Sequence, residues 1–283
     1  MYKRKKGIYS GKDIVMEDSM IKLSVYIITL NEEKRLEKTL QAVKQIADEI
    51  IIVDSGSTDN TKSIAEKQGA KFFYNKWESY ADQKHYAQEL CTNEWVLSID
   101  ADEVLSQELI KEIKIIKKAP QYDVYKIRIG EMFPGYNHPK KGTKKYNLAR
   151  LYNRNHAEMP KKNFTKDRIK VNKTAKIGQL QGLIYHYSYL NLHHQIDKLN
   201  NFTDQVVETA ISEHKRYGNL RLCTEFFRQF ICYYIIKRNF LHGQWGFISS
   251  INHAYFRFLK IAKWREYQQL KEVNKLGTDT AIK

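Results

Sequence analysis

Cysteine is scarce in this 283-residue chain: Cys91, Cys223 and Cys232 form an odd set with no Cys-x-x-Cys spacing. That argues against a disulfide framework or a zinc knuckle and suits a reducing compartment. Four prolines and 13 glycines are too few for collagen-like or Pro-rich low complexity. No stretch approaches the ~18 uninterrupted apolar residues of a membrane span. The longest apolar patch, 226–236, is broken by Arg228 and Gln229. A phosphate-binding P-loop and a Gly-x-Gly-x-x-Gly fingerprint are absent, which weakens NTPase and dinucleotide-dehydrogenase readings. Negative charge is also in deficit, with 48 Lys and Arg against 32 Asp and Glu, a net +16. An excess of that size implies an anionic partner: nucleic acid, acidic lipid headgroups or a phosphorylated substrate.

What is present is a globular composition, 42% apolar, long enough for one large domain with an appendage. Residues 1–20 contain Lys3-Arg4-Lys5-Lys6, but the apolar core of a signal peptide does not follow. This leader is expected to be a disordered basic tail, or to precede a translation start at Met20. Patterned sequence then begins. Residues 23–30, 50–53, 71–74, 95–99 and 124–129 read as strands. Between them, Leu36, Leu40 and Val43, residues 61–68, residues 81–90, and Leu109, Ile113 and Ile116 mark helices. Asn31 is expected to cap the first of these. The alternation predicts an α/β fold of right-handed βαβ units with a mostly parallel sheet. In such sheets ligands bind at the carboxyl ends of strands. The polar clusters at Asn31, Asp54 and Asp100 all fall there and should converge in one crevice.

Asp100-x-Asp102 follows a buried strand. Two carboxylates there suit Mg²⁺ or Mn²⁺ held against a diphosphate, although a turn with a helix-capping Asp has the same appearance. Asp54 precedes Ser-Gly-Ser-Thr and is either a nucleotide contact or part of a helix-entry turn. Residues 130–146 read as a loop long enough for a lid or an acceptor-binding segment. Beyond Asn191 the pattern is helical.

Three segments together, Ser24-Val-Tyr-Ile-Ile-Thr-Leu-Asn31-Glu32, Ile51-Ile-Val-Asp54-Ser-Gly-Ser-Thr-Asp59 and Trp95-Val-Leu-Ser-Ile-Asp100-Ala-Asp102-Glu103, resemble the nucleotide-binding half of family 2 glycosyltransferases. The resemblance implies the GT-A (Rossmann-like) fold over residues 21–189 and a helical region over 190–283 with possible membrane or acceptor contact. It also implies an inverting mechanism, a nucleotide-sugar donor and a divalent metal. Asp54 then matches the uracil-contacting position, Asp100 the ribose-contacting position and Asp102 the metal ligand. Thr29, Asn31 and Glu32 match positions lining the nucleotide pocket, and Lys84 a basic residue near the nucleotide. More narrowly, Tyr80-Ala-Asp-Gln-Lys84, Asp100-Ala-Asp-Glu103, Leu148-Ala-Arg150-Leu151, Leu180 to Ser188 followed by Lys198, and Phe240 to Gly246 are similar to lipopolysaccharide inner-core β-1,4-glucosyltransferases. This implies UDP-glucose as donor and a glycolipid acceptor at the cytoplasmic face of the inner membrane.

An inverting transfer needs a carboxylate base for the acceptor hydroxyl. The aligned segment Phe164-Thr-Lys-Asp167-Arg168 offers Asp167, with Lys166 where the subgroup has His. Glu158, near His156, is the rival. Arg150 binds donor phosphate or acceptor, or forms a surface ion pair. His186 is a third metal ligand, a diphosphate contact or a packed histidine. His193 and His194 are expected on a solvated helix face. Residues 215–270 interleave Lys and Arg with Phe, Tyr and Trp, which fits either an anionic membrane contact, peripheral and cytoplasmic, or a packed helical subdomain. Nucleic acid is not expected: no nucleic-acid motif is present, and acidic clusters in a crevice repel phosphates unless a metal intervenes. A catalytically dead scaffold is the remaining alternative, favoured only by Lys166-Asp167.

Overall fold

The apolar run Leu23–Thr29 forms strand β1, and its period-2 alternation covers both faces of a sheet. Val25 and Ile27 pack with Leu36, Leu40 and Val43 of helix α1 (Leu36–Val43), whereas Tyr26 packs on the opposite face. Each fully buried Leu or Val contributes about 1.5–3 kcal/mol. The computed structural model describes residues 20–133, 135–140, 142, 145–161, 168–188 and 190–280. The basic leader and Asp167 lie outside them.

The chain continues through β2 (Glu49–Asp54), α2 (Thr61–Lys67), β3 (Lys71–Tyr74), α3 (Tyr80–Glu89), β4 (Trp95–Asp100), β5 (Glu103–Leu105) and α4 (Gln107–Lys118). Then follow β6 (Val124–Glu131), β7 (Tyr146–Asn153), β8 (Ala157–Glu158), β9 (Lys170–Val171) and β10 (Ile177–His186). The helical region comprises α5 (Leu192–Ser212), α6 (Asn219–Ile231), a π turn (Cys232–Ile236), a 3-10 turn (Asn239–His242) and α7 (Gly243–Thr280).

Eight strands form one sheet in the order β3-β2-β1-β4-β7-β6-β10-β5. The first four are mutually parallel, as the βαβ reading requires. β7 runs antiparallel between β4 and β6, and β5 antiparallel to β10, so the second half is mixed. α1 and α4 cover one face, contributing Leu40, Ile110 and Ile113 to the larger core. α3 covers the other with Ala87, and a buried chain from Tyr26 through Tyr152 to Gln88 (2.9 and 2.6 Å) ties β1, β7 and α3 together.

Local signals start the helices. Ser79 caps α3 and Ser106 caps α4, each accepting a backbone N–H at 3.2 Å, and Asn191 caps α5 at 2.8 Å. Asn31 does not cap α1, contrary to expectation. It sits in the left-handed region (φ 54°), and its side chain accepts from the Thr58 N–H at 2.9 Å. α1 begins five residues later, at Leu36, so Asn31 joins two loops instead.

The β6–β7 loop is anchored on the helical region. The Tyr136 hydroxyl donates to the His242 carbonyl at 2.8 Å, and Phe133 packs edge-on against the His242 ring. Gly246 lets α7 begin beside the 3-10 turn, because a Cβ there would lie 1.8 Å from the Asn239 carbonyl oxygen. Val207, Ala210, Tyr217, Ile261 and Trp264 form a separate small core between α5 and α7.

Candidate active site

Strand pairing explains why distant carboxylates meet. Thr29 lies opposite Asp54 and Ile28 opposite Asp100, so β2, β1 and β4 end at one level. Farther along, His186 is in register with Glu103 on β5 and with Glu131 on β6. Asp102 immediately precedes β5, and its carbonyl accepts from the Tyr187 N–H at 2.9 Å. Two ends of the sheet thereby close around the Asp100–Asp102 turn.

Asp54 is buried and bonded to its own surroundings. Its carboxylate accepts from Thr29 Oγ1 (2.7 Å), the Gly56 and Ser57 N–H groups (2.8 and 2.7 Å) and Ser57 Oγ (2.5 Å). Gly56 takes φ 108°, which a side chain would resist. Asn31 completes this loop by donating its N–H to Ser57 Oγ at 2.7 Å. Glu32 donates its N–H to Thr61 Oγ1 at 2.8 Å, and its carboxylate is held by Arg35 Nη2 at 2.6 Å. Burial pushes the Glu32 carboxyl up to about 6, partly offset by Arg35.

Asp100 stands between two cations. The Lys84 ammonium, almost fully buried on α3, is 2.7 Å from Oδ1, and Arg150 Nη2 on β7 is 3.4 Å from Oδ2. Burial alone would raise the Asp100 carboxyl; Lys84 and Arg150 reverse that and hold it well below the usual range. Arg150 also reaches Glu103 Oε1 at 2.8 Å, and Glu103 Oε2 accepts the Asp100 N–H at 2.9 Å. Glu103 and Arg150 therefore brace the turn that presents both aspartates.

Asp102 and His186 come together. His186 Nε2 is 3.5 Å from Asp102 Oδ1, and Nδ1 is 3.2 Å from Glu131 Oε2. Ser188 Oγ bonds both Glu131 Oε1 and, at 2.9 Å, His186 Nδ1. Burial alone would lower the His186 pKa, but the two carboxylates raise it well above its ordinary value. Asp102 Oδ2 faces Arg35 Nη1 at 3.2 Å and Lys198 Nζ of α5 at 3.7 Å. Burial would also raise Asp102, and His186 and Lys198 outweigh it, keeping the group below the usual range.

Asp102 and His186 would offer a divalent cation one carboxylate oxygen and one imidazole nitrogen, the ring giving up its proton as the cation binds. A carboxylate oxygen and an imidazole nitrogen face each other, and Glu131 at the other ring nitrogen supplies the carboxylate partner that orients a ligating histidine. Among the described residues no group of three metal-capable side chains forms a site. Mg²⁺ is usually held by one or two carboxylates, with substrate phosphates and waters completing the shell.

The rival bases fare differently. Glu158 lies on the exposed β8–β9 ribbon, where Lys170 Nζ approaches it at 3.2 Å, and it shares no described contact with the Asp100–Asp102 cluster. Asp167 is outside the described residues. Three further members of the site carry no role in the sequence analysis. Arg35 sits at i+3 from Glu32, the spacing of a helical ion pair. Glu131 is a carboxylate just past a predicted strand end. Lys198 lies two turns into α5. His194, expected in solvent, is half-buried, and its Nδ1 accepts the Leu190 N–H at 3.2 Å; His193 is exposed as expected.

Residues 24–179 match the family described as Glycosyl transferase family 2. The chain belongs to that family. An uncharacterized glycosyltransferase of Rickettsia typhi is 38% identical to it over 272 residues, 93% of either chain. The lipopolysaccharide core biosynthesis glycosyltransferase LpsC of Rhizobium meliloti is 28% identical over 261 residues, 88% of this chain and 94% of its own. The crystal structure of S. aureus TarS 1–349 in complex with UDP-GlcNAc superposes with a TM-score of 0.46 at 17% identity, covering 88% of this chain and 92% of that one. In this family 2 glycosyltransferase the matched region ends within β10, so His186 and the whole helical region lie beyond it.

Proposed function

We propose that this enzyme is a metal-dependent inverting glycosyltransferase that moves glucose from UDP-glucose onto a lipopolysaccharide core sugar or a related glycolipid. The observation that carries the reading is the meeting of Asp102 with His186, beside an Asp100 clamped by Lys84 and Arg150. The acceptor class is supported by the similarity to LpsC over nearly the full chain.

Asp102 and His186 would hold Mg²⁺ or Mn²⁺, which when bound would supply positive charge against the departing diphosphate. Asp100 takes the ribose, and its orientation is fixed by the two cations behind it. Asp54, Thr29, Asn31 and Glu32 line the nucleotide pocket. Arg150 serves the site by positioning Asp100 and Glu103. A carboxylate, Asp167 or Glu158, accepts the proton of the acceptor hydroxyl as the sugar–diphosphate bond breaks on the opposite side of the anomeric carbon. The acceptor is membrane-borne, so the enzyme works as a peripheral protein on an anionic, cytoplasmic membrane face.

The test is donor turnover by the purified full chain with Mn²⁺ or Mg²⁺ and a panel of UDP-, GDP-, dTDP- and CMP-sugars. Release of UDP from UDP-glucose, abolished by chelator and by Asp102→Ala, is the expected result. UDP binding that ignores both treatments overturns the metal assignment, and release from a different sugar nucleotide overturns the donor.

A further inference from the structure

Helix α6 buries polar side chains and leaves an apolar row outside. Its buried side chains are Glu225 and Gln229, whereas Leu220, Phe227 and Ile231 are 77, 68 and 50% exposed. The apolar row continues past the helix with Ile235 and Ile236, 56 and 67% exposed, on the π turn. An amphipathic helix normally turns its apolar side to the core. Here Leu222, Phe226 and Phe230 are half-buried, Leu222 on the small core and Phe230 against Phe247, while Leu220, Phe227 and Ile231 form a further apolar row that faces outward and is matched to an apolar environment outside the chain.

The charge of the same edge says what that environment is. From Lys215 to Arg265 the sequence has ten Lys and Arg and one carboxylate, Glu225; Lys260 is buried, and Lys215 and Lys263 pair with Glu213 and Asp204, which leaves Arg221, Arg228, Lys237 and Arg238 along the apolar row. Arg221, Arg228 and Arg257 all converge on Glu225, at 3.4, 2.8 and 3.4 Å, so one acid faces three guanidiniums. Lys237 and Arg238 follow at the end of the apolar row. A second copy of this chain would bring the same +16 and the same cations, and like charge opposes that pairing. An apolar row set among cations fits lipid chains beneath anionic headgroups.

The edge also has a charge link to the reaction site. Lys237 Nζ lies 3.4 Å over the Tyr233 ring, which stacks on His253 at 4.1 Å. The charges of Glu131 and Lys237 both act on His253 and on Tyr146, and Glu131 is the carboxylate bonded to His186. Lys237, at the end of the apolar row, is thus within electrostatic reach of Glu131.

We propose that α6 and the π turn are the surface by which the enzyme lies on an anionic phospholipid bilayer, with the apolar row sunk at headgroup depth and the cations on lipid phosphates. This deepens, and rests on, the peripheral-membrane reading above. Among the described residues no helix is long and apolar enough to cross a membrane, which suits interfacial seating.

The experiment is co-sedimentation of the full chain with sucrose-loaded vesicles of phosphatidylcholine alone or with 30% phosphatidylglycerol, read beside donor hydrolysis in vesicle-free solution. The wild type should partition onto the anionic vesicles and only weakly onto the neutral ones. Phe227→Ser/Ile231→Ser/Ile236→Ser should lower the partition coefficient at least ~10-fold, with donor hydrolysis unchanged. Lys237→Gln/Arg238→Gln should lower it by about 5-fold per charge and flatten its salt dependence. The charge pair keeps the test decisive if the triple variant loses its circular-dichroism spectrum. Equal partitioning of wild type and variants overturns the proposal. So does a wild-type dimer in light scattering that the triple variant dissolves, since the edge is then a subunit interface. Vesicle binding without hydrolysis of any donor would sink the transferase reading and leave this surface standing.

Discussion

Arg35 Nη1 lies 3.2 Å from Asp102 Oδ2, while the same guanidinium holds Glu32 and donates to the Tyr187 and Ser188 carbonyls at 3.2 and 3.1 Å. One buried side chain thereby joins the loop after β1 to the Asp100–Asp102 turn and to the end of β10. Both ends of the sheet are held in one geometry before any ligand arrives.

Arg35→Met removes those bonds and leaves two carboxylates short of a partner. Breaking a buried ion pair from one side costs about 3–5 kcal/mol. For a chain of this size that is a fall in Tm of roughly 10 °C, measured by calorimetry. A change within a degree or two would show that Arg35 does not brace the site.

Asp102→Asn is expected to weaken Mn²⁺ binding at least ~100-fold, since even outer-shell changes at metal sites cost 10–100-fold. Counting bound Mn²⁺ by electron paramagnetic resonance, with and without UDP, checks this apart from turnover. His186→Ala should weaken Mn²⁺ in the same direction. Undiminished Mn²⁺ affinity in both variants would remove them from the metal site.

The two base candidates separate by kinetics. Loss of a general base lowers kcat by about 10²–10⁴-fold. Asp167→Asn should do so with the acceptor KM nearly unchanged, whereas Glu158→Gln should stay within a few-fold of wild type, since Glu158 pairs with Lys170 in the open. The reverse result would exchange the roles.

Glu49 sets an acid limit on stability. Burial alone would raise its pKa; Lys71, Ser24 and Thr92 donate to it and together bring it down to about 2 from 4.5. A depressed folded-state pKa stabilises the fold at pH values above the unfolded one, here by about 3 kcal/mol. That contribution is lost as pH falls from about 4.5 through about 2. Glu49→Gln should lower stability at pH 7 and flatten the dependence in that window, read by urea unfolding at several pH values. An unchanged slope there would assign the acid sensitivity elsewhere.

The first hundred residues were legible because each strand is a continuous buried run bounded by polar turns. Asp54, Asp100 and Asp102 follow those runs directly, so their convergence was a matter of strand ends. Asn31 misled because a capping residue and a left-handed loop residue share the same chemistry. Arg35 and Glu131 were missed, and Lys198 was noted without a role, for another reason. Glu131 meets His186 because β6 lies beside β10, Arg35 reaches the carbonyls just after β10, and Lys198 comes in on α5; long-range placement of that kind leaves no local pattern. The outward apolar face of α6 was hidden similarly. Periodicity fixes which residues share a face and is silent on which way it turns.

Asp54 accepts four hydrogen bonds, one from Thr29 on the neighbouring strand and three from its own loop. A nucleobase reaching that carboxylate meets a position already filled, and its own N–H must displace the Ser57 hydroxyl to be counted. Recognition there is an exchange reaction, in which one donor leaves as another enters. Its free energy is the small difference between two similar bonds. Such a contact adds little to overall tightness. If the proposed nucleobase contact forms, it would instead penalise any base that presents an acceptor at that point, so Asp54 would filter nucleotide identity while retention fell to the diphosphate end of the cleft.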